Sequence, residues 1–334
     1  MSNPLSRLLE ERGRLVADGG MGTSLFELGL ETGSTPELWN VEHPDRVAKV
    51  HLGFIEAGAD VILTNTFGGT SARLGLDRLE HRVAELNEAG VRLAREVAED
   101  VDREVVVVGS VGPTGQLFEP LGELTHEQAV AMFAEQMKAL ASAGADLLWI
   151  ETLSSIEELA AAVEAGAGTG LAMVTTMSFD THGKTMMGVP PSALASWWQS
   201  QDLRPAAVGA NCGIGPADVV AAAAGIKSAD PSLVTVAKGN CGIPKVIDGK
   251  LWYPTSSDDM FAYAELALDA GATIIGACCG SVPDHIAQIR AVVDTHEPAE
   301  FSFEAVEARL GPVSPPESSA RRESRSRRGR VRVD

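Results

Sequence analysis

Cys278 and Cys279 stand side by side in Ala-Thr-Ile-Ile-Gly-Ala-Cys-Cys-Gly (272–280), and Cys212 stands in Val-Gly-Ala-Asn-Cys-Gly (208–213). Both runs are apolar and stop at glycine, as the ends of buried strands do. Thiolates are soft ligands, and three of them at neighbouring strand ends suit a tetrahedral zinc site with one position open. A free alkyl thiol titrates near about 8.5 and is mostly protonated at neutral pH, whereas metal coordination removes its proton. The pattern therefore points to metal-activated thiol chemistry. A lone buried cysteine more often only fills space. Adjacent residues of a regular strand also face opposite ways, so Cys278 and Cys279 can share a metal only if the strand ends in a turn there. A vicinal disulfide acting as a redox switch is the alternative. Cys241 follows Asn240; as a fourth thiolate it would close the site to substrate, so it is read as a packing residue.

Two carboxylates belong to the same kind of position. Asp18 opens Asp-Gly-Gly-Met-Gly-Thr (18–23), and Glu151 follows the apolar run from Leu147. Each alone could be a turn or cap residue. His51, His81, His126, His285 and His296 are read as surface residues, and His182 as a residue of the loop after the fifth strand, with approach to the site as its lesser reading.

These residues need a scaffold that gathers strand ends. Apolar runs of strand length recur at 15–17, 61–66, 105–109, 147–151, 173–178, 207–211, 234–237 and 273–277. They are continuous rather than alternating, as in a parallel sheet covered on both faces. Helix-period segments separate them, at 45–57, 78–97, 125–143, 155–166, 191–199, 216–226, 257–270 and 283–293. Three of these helices end in Ala-Gly-Ala, where glycine takes the left-handed position and the next strand starts at once. Strand–helix alternation with eight strands predicts an α/β fold, a single (β/α)8 TIM barrel with its chemistry where strands end and βα loops begin. An open doubly wound sheet is the alternative, but no Gly-x-Gly-x-x-Gly follows the first strand in the dinucleotide-binding context.

Composition agrees. The chain has 334 residues, 45% hydrophobic, and only four cysteines, too few for a disulfide scaffold. No apolar run is long enough to cross a membrane, and no apolar leader opens the chain, so a reducing cytoplasm is expected. The formal charge is −19; residues 321–334 carry seven Arg against Glu323 and Asp334, a local +5 that leaves −24 on the remainder. A body this acidic does not track a phosphate backbone, so nucleic acid is not expected as a partner. Residues 1–299 are read as the barrel, and 300–334 as a Pro/Ser/Arg-rich disordered tail.

The strand endings resemble the homocysteine S-methyltransferase family, which includes the betaine- and S-methylmethionine-dependent enzymes and the homocysteine module of cobalamin-dependent methionine synthase. The matching text is DGGMGT (18–23), TNTFGG (64–69), GSVGPTG (109–115), ET (151–152), GANCG (209–213), GNCGIP (239–244) and GACCG (276–280), within a resemblance running from about residue 8 to about 295. The wording is most similar to bacterial proteins grouped with the betaine enzymes. The resemblance implies Zn2+ held by the catalytic residues Cys212, Cys278 and Cys279, with homocysteine sulfur as fourth ligand and Asn240 as a displaceable stand-in. It implies that Asp18 and Glu151 hold the homocysteine ammonium and that the Gly19 and Gly20 amides receive its carboxylate; Asn211 is counted with these substrate contacts. The implied reaction is methyl transfer from an onium donor to homocysteine, giving methionine. Glycine betaine is the favoured donor, with S-methylmethionine and dimethylsulfoniopropionate as alternatives; a non-catalytic zinc- or thiol-binding barrel is the lesser reading. A homo-oligomer is carried as an expectation, although the C-terminal extension that supports oligomerisation in the animal enzymes is not matched here. The sequence departs from animal betaine enzymes where aromatic residues cradle the donor: the matching positions here are Ser34, Gly68 and Thr152. Replacement rings are sought among Phe67, Trp39, Phe118, Trp197, Trp252 and Tyr253.

Overall fold

The computed structural model describes residues 3–247 and 250–314. Among the described residues there are ten strands: β1 Leu15–Val16, β2 Val61–Leu63, β3 Val106–Val111, β4 Leu147–Leu153, β5 Met173–Met177, β6 Ala207–Cys212, β7 Thr235–Gly239, β8 Lys245–Ile247, β9 Lys250–Trp252 and β10 Ile274–Ala277. Eight form one parallel sheet in the order β1-β10-β7-β6-β5-β4-β3-β2. The sheet closes on itself, because Ala17 bridges Val61 in parallel and the Asp18 N–H donates to the Val61 carbonyl at 2.9 Å. The antiparallel pair β8–β9 is an excursion from the loop after β7. All eight predicted strands are therefore present in one closed barrel, and the open-sheet alternative is excluded.

The eight predicted helices surround it, from Pro44–Glu56 to Pro283–Thr295. Their boundaries follow local chemistry. Thr125 and Ser256 each cap a helix with a reciprocal capping box, and Ser155 accepts from Glu158 N–H. Gly58, Gly144 and Gly271, the glycines of the three Ala-Gly-Ala endings, have φ of 103°, 96° and 85°.

The barrel interior is layered. Inward positions near its base are apolar, with Val61, Val106, Val108, Leu147, Trp149, Val174, Val236 and Ile274 in one buried cluster. Two residues further along their strands, the same inward parity reaches Ser110, Glu151 and Lys238. The apolar layers thus form a floor and the polar layer faces the C-terminal mouth. A helix that the sequence reading missed, Pro4–Arg12, plugs the base with Leu5 and Leu8. Below the floor, buried Asp60 is surrounded by Arg12, Arg290 and Arg103, and it accepts the Val16 N–H at 2.9 Å.

Part of the stretch expected as a disordered tail from residue 300 is ordered. Phe303–Leu310 form a helix capped by Ser302, with Val306 fully buried against the barrel helices. The apolar spacing Phe303, Val306, Leu310 gives it one sticky face, which the acidic and proline-rich surroundings obscured. Residues 315–334, with the Arg-rich run, lie outside the described residues.

Candidate active site

β6 and β10 flank β7 in the sheet, so Cys212 and the Cys278–Cys279 pair emerge on either side of one strand end. β10 stops at Ala277, and a turn follows, closed by Ser281 N–H on the Cys278 carbonyl at 3.2 Å. The turn removes the alternation that would part the two sulfurs. Cys212 takes the left-handed region at φ 61°, which turns its side chain inward as β6 ends. The three sulfurs lie within 4.8 Å of one another. Metal–sulfur bonds of about 2.3 Å in a tetrahedral shell set ligand sulfurs about 3.8 Å apart, so the triad fits a thiolate-bound metal. All four cysteines are free thiols. Hydrogen bonds from Cys212 and then Cys278 favour a thiolate at Cys279 and hold it well below the ordinary thiol range; Cys212, bonded to Cys278 and Cys279, is pushed up.

Asn240 runs between the cysteines, its N–H on the Cys212 carbonyl at 3.3 Å and its Nδ2 on the Gly213 carbonyl at 2.8 Å. Its Oδ1 is buried with no hydrogen-bond partner among the described residues. An orphaned buried carbonyl beside the triad is what a displaceable metal ligand requires. Cys241 is fully buried, donates its N–H to the Cys279 carbonyl at 2.9 Å, and sits 3.6 Å from His285 Nδ1. Burial, then the charge at Cys278, pushes its thiol up to about 12, so it stays protonated.

Glu151 is buried in the polar layer. Ser110 Oγ donates to its Oε1 at 2.6 Å and Asn211 Nδ2 to its Oε2 at 3.3 Å. Burial raises its carboxyl to about 7, with the Lys238 charge pulling the other way. Asn211 is not among the residues that line the cavity described below. It is fully buried, accepts the Thr152 N–H at 2.9 Å and donates to Thr152 Oγ1 at 2.7 Å. Its amide holds the bulge between Ile150 and Leu153, where Thr152 has φ 63°. Asn211 acts through Glu151 rather than facing the cavity.

Asp18 is equally buried but not free. Its Oδ2 accepts the Leu63 N–H at 2.8 Å, and its Oδ1 lies 3.3 Å from Lys238 Nζ. Lys238 Nζ also donates to the Ala277 carbonyl at 2.7 Å and reaches the Gly19 carbonyl at 3.5 Å. Burial opposes its charge, but Asp18, Cys278 and Glu151 outweigh burial, and the ammonium is held above its ordinary range. Burial also raises Asp18, while Lys238 and the Leu63 N–H stabilise its charged form; the two form an ion pair in which Lys238 donates to two carbonyls and Asp18 Oδ1 keeps no hydrogen-bond partner among the described residues. Sequence reasoning missed Lys238. Its signal was available: a lysine at the inward parity of Val234 and Val236.

The Gly20 amide is also engaged, donating to Ser281 Oγ at 2.9 Å. A Cβ at Gly19 would meet Ser281 Oγ at 2.5 Å and one at Gly20 the Cys278 carbonyl at 2.6 Å, so both positions exclude side chains. Of the histidines read as surface residues, His51 and His285 are buried. His51 shares the inner helix face of Val47, Val50 and Phe54, and burial lowers its imidazole to about 4, so it packs as a neutral ring. His182 is exposed and outside the cavity.

All three triad cysteines, Asp18, Glu151 and Lys238 line one cavity of about 580 Å³. Ser34, Gly68 and Thr152 line it too, as the resemblance implied. Its rings are Phe67 and Tyr253, with Phe26, which was not anticipated. Trp39 is buried in the outer core, and Phe118 and Trp252 line other hollows.

Residues 15–293 match the family model described as homocysteine S-methyltransferase. The chain belongs to that family. A methionine synthase of Mycobacterium leprae is 30% identical over 298 residues, covering 84% of this chain and 24% of the relative. The methionine synthase of Mycobacterium tuberculosis is 29% identical over 297 residues with the same coverage. The chain thus spans about a quarter of the length of these relatives. Among solved structures, the metallated form of the homocysteine methyltransferase MmuM from Escherichia coli superposes with a TM-score of 0.73 at 27% identity, covering 86% of this chain and 99% of that one. Its oxidized form gives the same TM-score and identity. No helix of the described residues is long and apolar enough to cross a membrane.

Proposed function

We propose that this chain transfers a methyl group from an onium donor, glycine betaine first, to the sulfur of homocysteine, giving methionine. Zn2+ would be held by Cys212, Cys278 and Cys279, with Asn240 as a displaceable ligand. The observation that carries this reading is the convergence of three thiols on a cavity that also holds a buried, cation-seeking carboxylate. Bound zinc supplies a way to keep a substrate thiol deprotonated at neutral pH.

The chain's own residues do the rest. Glu151, steadied by Ser110 and Asn211, takes the homocysteine ammonium. Asp18 is already neutralised by Lys238, so its part is to fix the wall beside the cysteines and to lend partial charge. The Gly19 amide faces the substrate carboxylate more freely than the Gly20 amide, which Ser281 occupies. In the transfer a sulfur–carbon bond forms as the donor's onium–carbon bond breaks, and the donor leaves as a neutral amine or thioether. The transfer itself moves no proton, so it needs alignment and a dry pocket more than a general base.

S-methylmethionine or dimethylsulfoniopropionate could serve as donor by the same chemistry. A non-catalytic zinc- or thiol-sensing barrel is the second class of reading. Purified zinc-loaded protein assayed for methionine from homocysteine with each donor separates them. Methionine from at least one donor supports the enzyme; homocysteine binding without product from any donor supports the sensor. The cytoplasm, and a homo-oligomer, remain parts of this proposal.

A further inference from the structure

Glu37 lies in the 3-10 turn Pro36–Leu38, 3% exposed, and lines the same cavity as the cysteine triad. One carboxylate oxygen, Oε1, accepts the Gly68 N–H at 2.6 Å. The carboxylate also takes Glu37's own backbone N–H, but among the described residues it has no salt-bridge partner, and the Gly68 N–H is its one hydrogen-bond donor from another residue. Arg73, exposed at the rim, is the nearest cationic influence on it, and Asp77 acts against it. A buried carboxylate left without a cation is costly, so it is kept where a ligand supplies one. The contacts proposed for homocysteine, centred on Glu151 with Ser110 and Asn211, do not include Glu37. The aromatic cradle is also absent nearby: Ser34 and Gly68 stand where rings would be.

We infer that Glu37 is the specificity-determining residue for the methyl donor, its open oxygen receiving the donor's onium charge in place of an aromatic cage. This rests on the proposed function for the existence of a donor, but commits to how that donor is recognised. The donor is then selected by its fixed positive charge, with Phe67 and Phe26 supplying apolar contact for its methyl groups. Arg73 leaves a cation at the rim for a carboxylate, which favours a zwitterionic donor. Burial raises the Glu37 carboxyl, against its own backbone N–H, the Gly68 N–H and Arg73.

The test uses the full zinc-loaded chain, with homoserine, the oxygen analogue of homocysteine, filling the other subsite. Calorimetry compares glycine betaine, S-methylmethionine and dimethylsulfoniopropionate with 3,3-dimethylbutyrate, which keeps betaine's shape and carboxylate but has carbon in place of nitrogen. The parent should bind at least one onium compound about tenfold to a hundredfold more tightly than the carbon isostere, which lacks the onium charge. Glu37→Gln, which keeps an oxygen for the Gly68 N–H, should erase that preference while zinc content and homocysteine affinity stay as in the parent. Glu37→Asp should restore part of it. A parent with no onium preference, a Glu37→Gln variant that keeps it, or a variant that loses zinc or homocysteine binding to the same degree would overturn the assignment; the last would make Glu37 a loop brace. Methionine formation is scored separately. Onium preference without methionine from any donor would defeat the proposed reaction, and the methyl-donor role with it, leaving Glu37 only as an onium-binding residue. Methionine formation unchanged in Glu37→Gln would defeat Glu37's role and leave the proposed reaction standing.

Discussion

At Glu151 a proton and a substrate ammonium compete for the same oxygens, because burial raises the carboxyl to about 7. The sign follows from linkage. A carboxyl raised on folding stabilises the native state most below its unfolded range, and that contribution is lost as pH rises through about 7. Ammonium binding runs the opposite way, since only the ionised form attracts it. Homocysteine affinity, measured against a thiol of similar length without the ammonium, should therefore rise between about pH 6 and 8. Glu151→Gln should flatten that difference and weaken homocysteine roughly tenfold to a hundredfold, the equivalent of about 1.5–3 kcal/mol for one charge-assisted hydrogen bond. Its zinc content should stay intact. The cysteines separate differently. Metal analysis of Cys212→Ala should show zinc lost with the fold retained, whereas Cys241→Ser should keep one zinc per chain. Full occupancy in the Cys212→Ala, Cys278→Ala double variant would reject the triad as the ligand set.

The elements decide where those side chains point. β4 carries Glu151 at inward parity, but directly after it the strand bulges at Thr152, φ 63°. That conformation is uncommon for a β-branched residue and persists because Asn211 accepts the Thr152 N–H and donates to its hydroxyl oxygen. Asn211→Leu strands a buried N–H and removes a donor from Glu151. It should cost about 1–3 kcal/mol in denaturant unfolding. It should also raise the homocysteine dissociation constant more than the zinc dissociation constant, because β6 still delivers Cys212. The β6–β7 pairing is held close at Gly209, where a Cβ would meet the Val236 carbonyl at 2.1 Å. Two and three residues on, the same pairing sets Asn211 beside Lys238 and Cys212 beside Gly239.

The whole molecule keeps stability and chemistry at opposite ends. The base is sealed by Leu5 and Leu8 and by Asp60, whose carboxylate gathers Arg12, Arg103 and Arg290 from three separate parts of the chain. The mouth carries the triad, Glu151 and the Asp18–Lys238 pair. Asp60→Asn leaves three arginines around a neutral group. The arginine side chains are 33%, 30% and 21% exposed, so water relieves part of the cost. A loss of about 2–4 kcal/mol is expected, below that of a fully buried pair. Zinc content and homocysteine affinity at 25 °C should be unchanged while Tm falls. Metal loss in step with Tm would mean that the two ends are coupled.

All eight strands and eight surrounding helices were legible in the chain, because buried parallel strands read as unbroken apolar runs and the capping residues lie a few positions from the helices they close. The cysteine triad was legible for the same reason: each cysteine sits at the end of its own apolar run. What the chain alone left open depends on closure of the barrel. Lys238 finds Asp18 across 220 positions only once β7, β10 and β1 are neighbours. Asn211 turns from a substrate contact into a brace because the bulge in β4 presents Thr152 to it. The Gly20 amide is taken by Ser281, His51 and His285 are covered by packing that local polarity did not reveal, and two short end helices gain their order only by docking on the barrel. Local sequence determines where strands stop and which residues stand there. Which of those residues neutralise one another, and which remain free for a ligand, is decided by strand register around the closed sheet.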